Sequence, residues 1–432
     1  MKTYSPELQI SGSRPFFLQI TPKFVLLFSI IFLFLTIIPL HVFPLLATSL
    51  SWSSLIPSSS SNIDPIAALR GTKESCDIFK GEWVPNPHTP YYNETCWAIQ
   101  EHQNCIKFGR PDTGFMKWRW RPDGCELPAF NPVQFLELMR GKSLAFVGDS
   151  VGRNQMQSLI CLLLKVSYSV DASIIQDEKF RRFYFPDYNF TVATFWSPFL
   201  VRAKEADPNG PTLSGLFNLY LDEADANWTT KITEFDYVIV SVGHWFFRPA
   251  MFYENHRIVG CQYCRTSIAT DLPKYYGYRM AFRTAFRAFN SLADFKGAVI
   301  LRTFAPAHFE NGLWNQGGDC MRRRPFRRDE ARLEGMNFEM YKAQMEEFNA
   351  AAAKGRKKGV RFRLLDATEA MLLRPDGHPS RYGHPPNANV TLYNDCVHWC
   401  LPGPIDTWNE FLLHIVKSEG GRSATGRQSP IR

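Results

Sequence analysis

The sequence predicts an α/β fold with a parallel sheet covered by helices on both faces. Short segments of continuous apolar residues alternate along the chain with longer segments of helical periodicity. Strands that are apolar on both sides need helices on both faces of their sheet. Three of these apolar segments end at Ser150, Gly243 and Thr303. Because ligands bind beyond the carboxyl ends of parallel strands, these three positions indicate a functional edge.

The first 72 residues predict a membrane anchor and a linker. Three basic residues precede an apolar segment at 24–44, and no Asp, Glu, Lys or Arg follows before residue 64. An apolar segment of about 20 residues spans a bilayer, and preceding basic residues hold the N-terminus in the cytosol. We expect a cytosolic tail at 1–23, a signal anchor at 24–44 and a Ser- and Pro-rich stem at 45–72. The alternative is a signal peptide cleaved near Ala47, and both place the remaining chain in the secretory lumen.

Cysteines and sequons indicate the same compartment. The chain has ten cysteines, and an even number in a lumenal protein predicts disulfides. N-glycosylation sequons begin at Asn93, Asn189, Asn227 and Asn389.

A Trp- and Cys-rich block at 73–130 predicts a disulfide-stapled lobe whose aromatic residues form its core or present flat faces to sugar rings. Cys261 and Cys264 have the spacing of a redox pair or of half a zinc site. No second close pair with suitable His partners follows, which favours a local disulfide and no metal.

The main domain, at 131–418, is expected to alternate helices and strands, with a disordered tail at 419–432. The elements we expect, in chain order, are helix 132–140, strand 144–147, a helix from Ser150, strand 190–196, strand 236–243, helix 276–292, strand 297–303, helix 328–353 and strand 361–366.

Ser150 stands where an α/β fold places a nucleophile. The strand at 144–147 ends in Gly148 and Asp149, and a helical pattern starts at once. The helix N-terminus then supplies free N–H groups and partial positive charge beside the serine. The alternative is a strand–turn–helix joint in which Ser150 is the helix N-cap. We interpret Asp149 as a turn residue rather than a second acid.

A second motif near the C-terminus supplies a base and an acid. Asp395 and His398 are three residues apart, with cysteines at 396 and 400. At this spacing the two side chains reach each other within one turn. The carboxylate can then orient the imidazole and stabilise its charged form, as in a nucleophile–base–acid triad.

The charge pattern excludes few partners. The formal net charge of +8 is modest for 432 residues, and basic clusters lie at 322–328 and 354–363. A solvated basic surface is the simplest interpretation, and attraction to an acidic polysaccharide or a phosphate-bearing donor is the alternative. A lumenal protein does not meet nucleic acid. No glycine-rich nucleotide motif predicts a bound dinucleotide.

Gly-Asp-Ser after a strand, combined with Asp-x-x-His near the end of an α/β domain, resembles the SGNH/GDSL hydrolases. Gly-Asp-Ser-x-x-Arg-Asn at 148–154, the block from Cys76 to Cys125, and the segments 301–310 and 395–408 extend the resemblance. Over residues 70–416 the chain closely resembles the plant trichome birefringence-like family. Gly152 departs from the pattern, since many members carry Ser or Ala there.

The resemblance implies a PC-esterase-type enzyme that O-acetylates a cell-wall polysaccharide in the Golgi, with a type II membrane anchor. The chain looks most like members that act on the side-chain galactose of xyloglucan. Ser150 would be the nucleophile, His398 the base and Asp395 the acid that orients it. The family's cysteine pattern implies the disulfides Cys76–Cys125, Cys96–Cys161, Cys105–Cys400 and Cys320–Cys396, which leaves Cys261–Cys264.

The expected mechanism needs an oxyanion hole and an acetyl donor, whose identity the sequence does not show; no bound cofactor is expected. From their positions the oxyanion donors are expected among the N–H groups of Ser150 and Gly243 and the side chains of Arg153, Asn154 and Arg302. A salt-bridge and cap network at the helix start is the alternative for Arg153 and Asn154. An acetyl-esterase with the same triad and a non-catalytic polymer-binding protein remain open, as do xylan, mannan and pectin as acceptors.

Overall fold

The computed structural model describes residues 76–425 apart from residue 89 and residues 174–178, 207–214, 265–268 and 386–392. The predicted tail, signal anchor and stem at 1–72 lie outside these residues, as does the sequon at Asn389. Within the described ranges, no helix is long and apolar enough to cross a membrane.

The described residues form thirteen strands and seven α-helices. The strands are β1 (Gly81–Pro85), β2 (Trp118–Pro122), β3 (Ser143–Gly148), β4 (Val170–Asp171), β5 (Phe180–Phe185), β6 (Phe190–Trp196), β7 (Val201–Glu205), β8 (Phe217–Ala224), β9 (Tyr237–Ser241), β10 (Ala250–Glu254), β11 (Arg257–Gln262), β12 (Ala298–Arg302) and β13 (Arg361–Leu365). The helices are α1 (Pro132–Leu138), α2 (Ser150–Leu163), α3 (Ala226–Thr229), α4 (Tyr276–Phe289), α5 (Gly335–Lys358), α6 (Thr368–Leu372) and α7 (Asp406–Thr425).

A seven-stranded sheet in the order β13-β12-β9-β3-β6-β5-β4 forms the centre of the fold. The five strands from β13 to β6 are parallel, as predicted. The pairings of β6 with β5 and of β5 with β4 are antiparallel, so the central sheet is mixed. The predicted parallel pairing is therefore wrong at this edge of the sheet. A 3-10 turn and Asn189, whose φ is 47°, join β5 directly to β6. So short a connection allows only antiparallel pairing.

Helices cover both faces of this sheet. On one face Phe146 and Ile300 pack with α2 and α7, and on the other Val147 and Leu301 pack with α4 and α5. Adjacent strand residues point to opposite faces, so the central strands β3, β9 and β12 are apolar along most of their length.

A second sheet, in the order β11-β10-β8-β7, was not predicted. It contributes Leu219, Leu221 and Phe252 to the apolar core shared with α4. Buried positions alternate with partly exposed ones in the centre of β8, and so short an alternation gives a weak signal in the sequence.

One predicted helix boundary needs correction, and helix α7 was not predicted. Helix α5 was predicted at 328–353 but spans Gly335–Lys358. Arg328 pairs with Asp123 at 2.9 Å, which holds the preceding segment in a loop. Helix α7 extends to Thr425, into the tail predicted to be disordered. The side chain of Glu419 is 4% exposed and pairs with Arg361 at 2.9 Å, which anchors this end of α7 to β13.

The N-terminal lobe is built on the hairpin of β1 and β2. Trp83 and Trp120 pack edge to face, with ring centroids 5.7 Å apart, and both are buried. The indole N–H of Trp83 donates to the carbonyl of Ala370 at 2.7 Å, which ties the lobe to α6. Most aromatic residues of the lobe are therefore core, whereas Trp97 is 58% exposed.

Candidate active site

The carboxyl ends of β3, β9 and β12 meet at one edge of the central sheet, where Ser150 begins α2. Gly148 allows this close approach, because a Cβ there would lie 1.8 Å from the carbonyl oxygen of Ser241. The N-cap of α2 is Asp149, whose carboxylate accepts from the N–H of Val151 at 3.0 Å. Ser150 is therefore not the N-cap, and its partly exposed hydroxyl is available for chemistry.

The structure brings Ser150, His398 and Asp395 together as a hydrogen-bonded chain. Ser150 Oγ lies 2.7 Å from His398 Nε2, and His398 Nδ1 lies 2.7 Å from Asp395 Oδ2. The other carboxylate oxygen of Asp395 accepts from the backbone N–H of His398 at 2.9 Å. An ionised carboxylate on Nδ1 fixes the proton there and leaves Nε2 to accept the serine proton.

Electrostatics favour this arrangement. Burial opposes ionisation of Asp395, but the charge of His398 and the N–H donors outweigh it and lower the pKa of the carboxyl. Burial lowers the pKa of His398, yet the charge and hydrogen bond of Asp395 prevail and raise it above the ordinary value. The pair therefore holds a carboxylate next to an imidazole that accepts a proton readily.

The N–H of Gly243, predicted as an oxyanion donor, is directed to another acceptor in this structure. Its N–H donates to Asp149 Oδ2 at 2.9 Å. Because the buried Asp149 carboxylate also accepts from Val151 in α2, it connects the start of α2 to the turn after β9. Burial raises the pKa of this carboxyl, opposed by the charge of Arg302 and by the N–H donors.

The side chains of Asn154 and Arg302, two further oxyanion candidates, also bond to other parts of the fold. Asn154 is fully buried, accepts from the N–H of Trp399 at 2.8 Å and donates to the carbonyl of Trp399 at 3.2 Å. Arg302, 2% exposed, donates to Ser241 Oγ at 2.9 Å and to the carbonyl of Thr303 at 2.8 Å. Asn154 therefore ties α2 to the residue after His398, and Arg302 ties β12 to β9. Neither contact is the helix-start cap network that was the alternative for Asn154.

Arg153 keeps the position predicted for an oxyanion donor. It lies one helical turn after Ser150 and is partly exposed. Its guanidinium lies 5.2 Å from the ring centroid of Trp196. Its charge lowers the pKa of His398, although less than the carboxylate of Asp395 raises it.

Two histidines near the triad were missed in the sequence. His102 from the lobe packs edge to face with His398 at 5.1 Å, and burial lowers its pKa to about 4. The implied Cys105–Cys400 disulfide was the signal, since it brings this part of the lobe beside His398. His244 directly follows Gly243 and donates from Nε2 to the carbonyl of Ala305 at 3.0 Å. Burial lowers its pKa to about 4 as well, so both rings are neutral at neutral pH.

All ten cysteines are paired, in the five combinations expected from the sequence. Cys320–Cys396 and Cys105–Cys400 bracket the Asp395–His398 segment and hold it against the rest of the domain. The pairs are Cys76–Cys125, Cys96–Cys161, Cys105–Cys400, Cys261–Cys264 and Cys320–Cys396. The three sequon asparagines that the structure describes, Asn93, Asn189 and Asn227, are exposed.

The basic cluster at 322–328 is largely neutralised by ion pairs. Arg322 pairs with Glu310 at 2.6 Å, and Arg324 pairs with Glu330 at 2.7 Å. Arg328 pairs with Asp123. This favours a solvated surface over attraction to an acidic polymer.

Comparison with known proteins identifies the family. A family model described as PC-Esterase, the GDSL/SGNH-like acyl-esterase family found in Pmr5 and Cas1p, matches residues 127–415. A model of the PMR5 N-terminal domain matches residues 74–126. The chain belongs to this family. The predicted family is confirmed, and so is the prediction that the chain is an acyl-transferring enzyme of that family.

Relatives with similar sequences are plant proteins. Protein trichome birefringence-like 19 of Arabidopsis thaliana is 58% identical over 389 residues, which cover 89% of this chain and 91% of that protein. Xyloglucan O-acetyltransferase 4 of Populus trichocarpa is 44% identical over 347 residues, which cover 80% of this chain and 82% of that protein. Xyloglucan O-acetyltransferase 2 of Arabidopsis thaliana is 42% identical, with coverage of 79% and 83%.

Proposed function

We propose that this PC-esterase family member is an O-acetyltransferase that acetylates xyloglucan side-chain galactose in the Golgi lumen through an acetyl-Ser150 intermediate. The contacts at 2.7 Å from Ser150 to His398 and from His398 to Asp395 carry the proposal. The xyloglucan acceptor rests on the relatives named xyloglucan O-acetyltransferases. The lumenal site rests on the predicted anchor, the disulfides and the exposed sequons.

The first half-reaction transfers the acetyl group to the enzyme. His398 Nε2 takes the proton of Ser150 as Oγ attacks the carbonyl carbon of the donor. Asp395 stabilises the imidazolium that results. The tetrahedral intermediate collapses when the donor's leaving group departs with the proton from His398, and acetyl-Ser150 remains.

The second half-reaction uses the same base. A sugar hydroxyl gives its proton to His398 Nε2 and attacks the acetyl carbonyl of the ester. Collapse of the second tetrahedral intermediate returns the proton to Ser150 Oγ and releases the acetylated sugar. Each intermediate carries an oxyanion, and we assign its stabilisation to the N–H of Ser150 and the guanidinium of Arg153.

Aromatic side chains near Ser150 suit a sugar acceptor. Trp196 is paired in register with Gly148, at the strand end that leads into Ser150. Trp245 packs edge to face against Trp196 at 5.5 Å. Both rings are partly exposed, and such faces stack on the apolar side of a pyranose ring.

The test incubates the full-length purified chain with a synthetic aryl acetate and xyloglucan, xylan, mannan or pectin oligosaccharides. Mass spectrometry then follows acetylated sugar and acetylated Ser150 peptide. We expect acetylated xyloglucan fragments with the wild type, and neither product with Ser150→Ala. Acetate release without acetylated sugar would establish an esterase instead. Unchanged transfer by Ser150→Ala would refute the covalent mechanism.

A further inference from the structure

A second histidine pair lies behind the triad and takes no part in the mechanism above. His308 Nδ1 is 2.7 Å from His378 Nε2. The opposite nitrogen of each ring faces a backbone carbonyl: His308 Nε2 lies 2.9 Å from the oxygen of Leu372, and His378 Nδ1 lies 2.7 Å from the oxygen of His398. His378 is 1% exposed.

Counting protons on these four nitrogens shows what the contacts require. A carbonyl oxygen only accepts, so His308 Nε2 and His378 Nδ1 must each carry a hydrogen. A neutral imidazole has one N–H, so two neutral rings would face each other with two lone pairs at 2.7 Å. One additional proton converts that repulsion into an N–H···N hydrogen bond and gives the pair a charge of +1.

The pair acts directly on the catalytic segment. His378 Nδ1–H donates to the carbonyl of His398 itself, and its ring stacks on Trp399 with centroids 4.0 Å apart. Asn154 holds the backbone of Trp399 at the same time. Any change in the tilt of His378 is therefore passed to the base through one peptide group.

We propose that His308 and His378 share one proton, and that the protonated pair is a positioning element for His398 in the acetyl transfer. This inference rests on the proposed function for its catalytic consequence. The protonation itself is independent of which reaction Ser150 performs.

The surroundings suit a single positive charge but not two. Burial lowers the pKa of both rings, and the charge of His308 lowers the pKa of His378 further, which opposes a second proton. The hydrogen bond exists only with the first proton bound, so it raises the pKa of that first step for the pair as a whole. The charged and titratable groups that face the pair are Asp376, Glu310, Arg322, Asp395, His244, Arg110 and Arg374.

Two substitutions separate the shared proton from the packing. In His308→Gln the amide N–H can donate to His378 Nε2 at every pH, because it does not titrate. In His308→Leu no donor is present at any pH. His256→Gln is the matched control, since that histidine side chain is 80% exposed.

The experiment measures acetyl transfer, Tm and histidine ¹⁵N spectra of the full-length chain between about pH 5 and 8, where histidines change charge. Expressed relative to His308→Gln, which cancels the titration of His398 itself, wild-type kcat and Tm should fall as pH rises through the pKa of the pair, with KM unchanged. The kcat of His308→Gln relative to the wild type should therefore rise about tenfold. His308→Leu should be slow and less stable throughout, and His256→Gln should follow the wild type.

The spectra give a readout that does not depend on activity. At the acidic end, His308 and His378 should together carry three N–H hydrogens, one of which lies between the two rings. Spectra of two neutral rings at that pH, or the same pH dependence of kcat and Tm in wild type and His308→Gln, would overturn the proposal. If the wild type transfers no acetyl group at any pH, the proposed function fails while the spectra still decide whether the proton is shared.

Discussion

Replacing Asn154 with alanine tests whether this residue braces the catalytic segment or binds the oxyanion. Its amide bonds both the N–H and the carbonyl of Trp399, the residue after His398. Both Asn154 and Trp399 are fully buried, so bulk solvent does not reach the two backbone groups. Asn154→Ala should therefore destabilise the fold and displace the base together.

The structure sets the size of both effects. Two buried polar groups lose their partner, at a cost of about 1–3 kcal/mol each, or about 2–6 kcal/mol in total. With an unfolding entropy of about 2.1 cal/mol/K per residue over about 350 folded residues, this lowers Tm by about 3–8 °C. A displacement of the base by about 1 Å lowers kcat about a hundredfold.

Thermal unfolding and acetyl transfer of the same preparation provide the measurement. Asn154→Asp is the matched control, because its carboxylate repels the Trp399 carbonyl until it is protonated, so its Tm and kcat should recover as pH falls. An oxyanion donor would behave otherwise: Asn154→Ala would lower kcat and leave Tm within about 1 °C of the wild type. That result would refute the bracing role.

Three further predictions concern the acid, a disulfide and a glycine. Asp395→Asn removes the charge that raises the pKa of His398, so the acidic limb of the pH–rate profile should move to lower pH. The same change should lower kcat about 10³–10⁴-fold. An acidic limb that stays in place would contradict the role assigned to Asp395. The double variant Cys105→Ser/Cys400→Ser should lose about 2–5 kcal/mol of stability in denaturant unfolding and much of its activity, since the bridge fastens the lobe beside His398; wild-type kcat would refute this link. In Gly148→Ala the new Cβ would lie 1.8 Å from a backbone oxygen of β9, so the free energy of unfolding should fall by about 4 kcal/mol or more. Equal Tm values for Gly148→Ala and the wild type would show that β3 and β9 can move apart at this point.

Local pattern was sufficient for the five parallel strands of the central sheet. Mostly apolar segments predicted β3, β6, β9 and β12, because strands buried on both faces show no polar alternation, and a shorter segment predicted β13. Their boundaries agree with the structure within about two residues. The helix predicted at 328–353 begins only at Gly335. Arg328, in its predicted first turn, instead pairs with the distant Asp123, and helical periodicity carries no information about such a partner.

The antiparallel edge of the central sheet and the second sheet were not visible in the same way. Burial alternates only over the centre of β8 and does not alternate along β11, so neither strand has a clear period of two. Such strands are stabilised by their neighbours rather than by their own pattern. The pairing order of these strands depends on tertiary contacts and cannot be read from any one segment of the sequence.

The triad was predictable because its chemistry is concentrated in two short motifs. Gly148, Asp149 and Ser150 belong to one turn, and Asp395 lies three residues from His398. This short spacing fixes the relative positions of the residues within each motif. Only the contact between Ser150 and His398, 248 residues apart, depends on the tertiary structure.

Tertiary structure alone decided which neighbours of Ser150 face the reaction. Gly243, Asn154 and Arg302 all occupy plausible positions in the sequence, yet each gives its hydrogen bonds to Asp149, to Trp399, or to Ser241 and Thr303. A donor's availability depends on what lies within about 3 Å of it, and those partners come from distant parts of the chain. The sequence determined which groups could perform acyl transfer, and the packing of strands, lobe and loop determined which of them are free to do so.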